Sequence, residues 1–152
     1  MKNELKKARS LALRMLALRR RSRHELEQYL ERKGFTPEVS HPVLDVLGEY
    51  GYINDKEFAR CWVDRRLGKR GFSGLRQELR DKGISVKIIE EVLDELGDDR
   101  EYITAMKLVK KEMIRSNGEC NLPRLVGSLN RRGFTCEVIS KIQRGIKDGD
   151  RD

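Results

Sequence analysis

The 152-residue sequence holds little with which to do redox, metal or covalent chemistry. Its two histidines, His24 and His41, and its three cysteines, Cys61, Cys120 and Cys136, are scattered, with no CxxC pair and no metal-ligand spacing. An odd, dispersed set of thiols fits a reducing compartment, so the expectation is a cytoplasmic protein with free cysteines, no metal and no cofactor. The sequence has no Gly-rich phosphate loop, no GxSxG and no HExxH, which removes the usual signatures of nucleotide binding and hydrolysis. Aromatics at 6% are too few, and too core-like in spacing, to serve as stacking platforms for bases. The longest apolar run is Met15 to Leu18, too short to span a membrane, and Arg14 with Arg19, Arg20 and Arg21 spoils the first apolar stretch as a signal peptide. No stretch alternates as a strand does. Enzymes and membrane proteins are therefore the disfavoured classes.

What the chain has in excess is charge. Charged residues make up 38% of it, as much as all hydrophobic residues together, and the balance is basic at +8. Leu, Ile and Val are still frequent enough for a folded domain, but the core they can build is thin or subdivided.

A threefold repeat explains the subdivision. The segments RHELEQYLERKGFTPEV from Arg23, FSGLRQELRDKGISVKI from Phe72 and LPRLVGSLNRRGFTCEV from Leu122 align without gaps. Each has two Leu four apart, Leu26/Leu30, Leu75/Leu79 and Leu125/Leu129, then a base, a Gly, an apolar residue and a Ser or Thr. Two Leu at i and i+4 share a helical face. A Gly in the left-handed conformation ends that helix, and Thr36, Ser85 or Thr135 caps the next. A first helix precedes each pair, expected over about Glu4 to Arg21 in repeat one. In repeat two it starts at an Asn54–Glu57 capping box, and in repeat three at Asp98 or Asp99. The fold expected is all-α: three tandem three-helix repeats, nine helices, in an elongated, curved array. The boundaries are 1–50, 51–97 and 98–147, with a disordered tail at 148–152. Each unit buries little alone, so stability comes partly from packing between repeats.

The bases recur near the end of each first helix: Arg19, Arg20, Arg21 and Arg23; Arg65, Arg66, Lys69 and Arg70; Lys107, Lys110, Lys111 and Arg115. Arg76 and Arg80 extend the middle group, whereas residues 87–101 are strongly acidic. Bases complement the negative end of a helix dipole, which is one explanation. The other is a stripe aimed at a polyanion, either nucleic acid or an acid-lined protein groove. Asp98, Asp99 and Glu101 read more simply as helix-capping residues than as a metal site.

The segment GYINDKEFARCW (Gly51 to Trp62), followed by a basic stretch and GLRQELRDKGI (Gly74 to Ile84), resembles the RecX family over roughly residues 8–147. Gly51, Tyr52, Asp55, Phe58 and Ala59 match its strongest motif, and Glu78, Leu79, Lys82, Gly83 and Ile84 match the second. Physically these residues read as a turn, a cap, core contacts and a helix stop. The resemblance implies a non-enzymatic, monomeric regulator of the RecA recombinase that lies in the groove of the RecA–DNA filament and reduces ATP hydrolysis, filament extension and strand exchange. This places it in the SOS response and recombinational DNA repair, with single- or double-stranded DNA a weak partner on its own. The alternative is a DNA-binding helical-repeat protein that acts without RecA. The contact residues expected are the bases Arg65, Arg66, Lys69, Arg70, Arg76 and Arg80, then Arg19, Arg20, Arg21, Arg23, Lys107, Lys110 and Lys111.

Overall fold

The computed structural model describes residues 1–119 and 121–149, and the helices account for most of them. In chain order these are α1 (Lys2–Leu18), α2 (Arg23–Arg32), α3 (Pro37–Glu49), α4 (Asp55–Arg66), α5 (Phe72–Asp81), α6 (Val86–Asp94), α7 (Arg100–Arg115), α8 (Leu122–Arg131) and α9 (Cys136–Gly149). Among the described residues there are nine helices and no strand, as the repeat predicts. Helix α9 takes in Asp148 and Gly149, which were expected in the tail. Cys120 and the rest of that expected tail, 150–152, lie outside the described residues.

The chain divides into two compact units. One comprises Met1–Trp62 and Leu79–Val92; the other comprises Val63–Glu78 and the described residues of Leu93–Asp152. In the first, Ala8 and Ala12 of α1 are fully buried against a core that includes Leu26, Leu30, Val39, Val43, Leu44 and Leu47. The small alanines let α1 pack closely on α2 and α3. In the second, Ala105 and Val109 of α7 take the same place against Leu125, Leu129, Phe134, Ile139 and Ile142.

Local chemistry sets the helix ends, with some departures from the expected ones. Helix α1 stops at Leu18, three residues short of the expected end, because Ser22 and Glu25 form a reciprocal capping box that starts α2 and leaves Arg19 extended. The Ser85 and Thr135 hydroxyls accept from the Ile88 and Val138 N–H groups, as helix caps do. Thr36 precedes α3 without a side-chain cap, and Pro37 starts that helix instead. Asp99 precedes α7, also without a side-chain cap. Asn54 does cap α4, accepting from the Glu57 N–H at 3.0 Å. In α6 the buried stripe is Ile89, Val92 and Leu93. On α7, Ile103 is exposed and Glu101 is buried, the reverse of what hydropathy suggests.

Glu101 is buried because it serves two helix starts. Its carboxyl oxygens accept from the Phe72 N–H at 2.7 Å, the Thr135 N–H at 3.1 Å and the Thr135 hydroxyl at 2.7 Å. Beside it the start of α5 lies on the turn between α8 and α9. The Gly71 N–H donates to the Arg132 carbonyl at 2.9 Å and the Gly74 N–H to the Gly133 carbonyl at 3.0 Å. Gly133 has φ +82°, and a Cβ there would collide with the Gly74 backbone.

The turns of repeats one and three give a paired test. Gly34 has φ +94° but nothing near the place of a Cβ among the described residues. Gly34→Ala is expected to cost about 1–2 kcal/mol, the left-handed penalty alone. Gly133→Ala is expected to cost at least about 3 kcal/mol, because backbone must also move. Urea unfolding followed by circular dichroism measures both.

A basic cleft on the second unit

The bases predicted from sequence have different environments in the two units. In the first unit most of the Arg19–Arg23 group is tied down. Arg19 lies 2.8 Å from Glu25, Arg21 Nε donates to the Met15 carbonyl at 3.4 Å, and Arg23 lies 2.7 Å from Asp45 and 3.1 Å from Glu27. Arg20 is exposed. The hydrogen bonds to Asp45 and Glu27 raise the Arg23 pKa despite the opposing effect of burial. Burial, with the neighbouring Arg19 charge, lowers that of Arg21. Arg19 and Arg21 fasten the α1–α2 link, which follows from the early end of α1, and Arg23 ties α2 to α3.

In the second unit the bases gather. A cleft of about 820 Å³ is lined by seven of them, Arg65, Lys69, Lys111, Arg115, Arg124, Arg131 and Arg132, against two acids, Glu112 and Glu119. Three elements build it. The end of α4 and the link after it bring Arg65 and Lys69, the last turns of α7 bring Lys111 and Arg115, and α8 with its C-cap brings the other three. Arg124, Ser128 and Arg131 lie three or four residues apart and so share a face of α8. Leu125 and Leu129, on the adjoining face, hold the helix to the core and also line the cleft.

Of the expected contact residues, Arg65, Lys69 and Lys111 line this cleft. Arg70 lies at its border, donating to the Arg131 carbonyl at 3.2 Å, with its Nε 3.8 Å from Glu78. Arg66 is half-buried and turns to α5, its Nε 3.2 and 3.3 Å from the two Glu78 oxygens. Lys107 and Lys110 are exposed on α7, and Arg76 and Arg80 sit on α5; none of the four lines the cleft. Sequence reasoning missed Arg124, Arg131 and Arg132, although their spacing on the α8 register was available. In sequence, Arg132 is simply the base that precedes a helix-ending Gly.

The motif residues from Gly51 to Ile84 have mostly architectural positions. Gly51 has φ +81° and turns the chain out of α3. Asp55 Oδ1 accepts the Arg23 N–H at 2.9 Å, joining α4 to the start of α2. Phe58 is buried and stacked on Trp62 with ring centroids 6.1 Å apart, and Ala59 and Leu79 are fully buried. Glu78 holds Arg66 and Arg70. Lys82 lies over Trp62 at 5.2 Å and 3.5 Å from Glu25, while its carbonyl accepts the Ser22 hydroxyl at 2.7 Å. Gly83 leaves room for His24, and Ile84 is buried. Tyr52 is the exception: expected among the structural residues, it has an exposed side chain.

The family model described as RecX, first three-helix domain, matches residues 8–47, and RecX, second three-helix domain, matches 54–93. The chain belongs to the RecX family. Regulatory protein RecX of Thermobifida fusca is 34% identical over 143 residues, covering 91% of this chain and 77% of that one. Its counterpart in Mycolicibacterium smegmatis is 39% identical over 137 residues, covering 84% and 72%. The crystal structure of RecX from Lactobacillus salivarius overlays with a TM-score of 0.85 at 22% identity, covering 97% of this chain and 99% of that one, which shows the shared fold. Within the RecX fold the two base-rich regions differ in use, one given to internal ties and one to an open cleft. No helix among the described residues is long and apolar enough to cross a membrane.

The tied region has a pH signature. Burial pushes the Glu25 carboxyl up, but the Arg19 guanidinium, the Ser22 N–H and the Lys82 charge outweigh it and hold the group below its ordinary value. A carboxyl depressed on folding stabilises the fold above its unfolded value, and that contribution is lost as pH falls through the folded one. The stability difference between the natural chain and Glu25→Gln is therefore expected to be full at neutral pH and to shrink below about pH 5. Urea midpoints measured across pH check this.

Proposed function

We propose that this chain is a non-enzymatic regulator of RecA, active in the cytoplasm, that binds the RecA–DNA filament in its helical groove and restrains its ATPase, extension and strand exchange. Membership of a family whose relatives are named regulatory protein RecX supports the class of function. The observation that carries the mechanism is the cleft with seven bases and two acids. Such a surface attracts a polyanion, either the DNA phosphates exposed along a filament or acidic protein surface beside them. Arginine predominates in the lining, and its planar fork binds phosphate and carboxylate oxygens in pairs.

A second reading draws on the same cleft: the chain binds DNA directly and needs no RecA. The two differ in salt dependence and in preferred target. A direct binder that engages about six phosphates loses affinity for bare DNA about a thousandfold between 50 and 200 mM salt. A filament regulator binds bare DNA weakly and the filament far better.

The test is ATP hydrolysis by preformed RecA on single-stranded DNA as this protein is added. Inhibition at substoichiometric ratios is expected, and no effect at stoichiometric excess favours the direct binder. The double variant Arg124→Glu with Arg131→Glu is expected to weaken inhibition more than about tenfold with helicity unchanged, as two lost ionic contacts imply. Arg66→Ala is expected to act on stability instead, because that side chain faces Glu78.

A further inference from the structure

The three repeats carry one groove each, and two of the grooves are filled. Every groove has a carboxyl four residues before a buried alanine of the first helix, Glu4 before Ala8, Asp55 before Ala59 and Glu101 before Ala105. Each also has the base–Gly turn between the second and third helices, at Gly34, Gly83 and Gly133. In the second repeat the groove holds the start of α2. Asp55 takes the Arg23 N–H, the Lys82 carbonyl takes the Ser22 hydroxyl, Gly83 makes room for His24, and Lys82 pairs with Glu25. In the third it holds the start of α5, through Glu101, the Arg132 and Gly133 carbonyls, and the Gly74 backbone.

The first repeat has the same parts. Glu4 is exposed, and no described atom comes within 4 Å of a Cβ placed on Gly34. A cavity of about 460 Å³ lies there, lined by Lys6, Lys7, Ser10, Leu11, Lys33 and Phe35. Lys33 and Phe35 match Lys82 and Ile84 of the filled groove, while Ser10 and Leu11 match Cys61 and Trp62. Lys33 itself rests over Tyr29, 5.7 Å from the ring centroid.

We propose that this groove is a docking site for the first turn of a helix from another protein, one with a small hydroxyl residue at its N-cap and carboxylates in its first turn. The filled groove of the second repeat shows the binding mode, with Ser22 on the turn carbonyl and Glu25 on the turn lysine. Charge selects the occupant. Three lysines line the open groove and outnumber its one carboxyl, Glu4, and acidic residues are also the ones that helix starts favour. A second copy offers the start of α8, but that start carries Arg124 where α2 has Glu25, which sets like charge against the lysines.

The test uses the full chain, isotope-labelled, and two helical peptides, one beginning Ser-Ala-Glu-Glu and the other Ser-Ala-Lys-Lys. The acidic peptide is expected to move the backbone amide signals of Ser10, Gly34 and Phe35 saturably, with the lysine peptide at least about tenfold weaker. Ser10→Tyr, on an exposed position, fills the cavity and is expected to abolish binding with the circular dichroism spectrum unchanged. Lys33→Glu is expected to weaken binding about tenfold and serves if the tyrosine variant misfolds. The proposal is overturned if the acidic peptide moves no signal at about 1 mM, if neither variant weakens it, or if both peptides bind alike. Self-association with concentration that Ser10→Tyr abolishes assigns the groove to a second copy and overturns it too. The effect on RecA is read separately, since the basic cleft shares no residue with this groove.

Discussion

The fold depends on one joint used twice: the start of a second helix set on the base–Gly turn of the following repeat, with a carboxyl from that repeat's first helix taking a free N–H. A helix start leaves backbone donors without partners, and burying them uncompensated is costly. Asp55 answers this for α2, and Glu101 for α5. The joint also requires a turn with no side chain at its crown, because His24 in one case and the Gly74 backbone in the other occupy that space. Small hydrophobic clusters would be weak alone, and the joint adds directional bonds that set the register between neighbouring repeats.

Charge then works in two ways on the same scaffold. Where a base has an acid within reach, as with Arg19 and Glu25 or Arg66 and Glu78, it holds backbone in place and is spent on structure. Where bases outnumber acids on converging elements, as in the cleft between the ends of α4 and α7 and the face of α8, they give the surface a positive field.

Much of this was legible in the sequence. The Leu pairs, the Gly turns and the Ser or Thr after them gave nine helices in three repeats because helix periodicity and stop signals are local properties. The middle and third base clusters pointed toward the cleft through Arg65, Lys69 and Lys111. What was not legible depends on tertiary contact. No local pattern marks Glu101 as buried, since its partners are 29 and 34 residues away. Nor does a run such as Arg19 to Arg21 say whether it faces solvent or acids in its own unit. Arg124 and Arg131 stand apart from the base clusters at the ends of the first helices, because α8 presents them along a second-helix face.

The joint is made largely through main-chain atoms on the turn side, the Lys82, Arg132 and Gly133 carbonyls. A contact written in backbone leaves its side chains at liberty. Lys82 can lie across Trp62 while its counterpart Arg132 turns to the cleft, and neither choice disturbs the joint. Duplicated repeats can thus drift apart and take on separate duties while keeping one architecture.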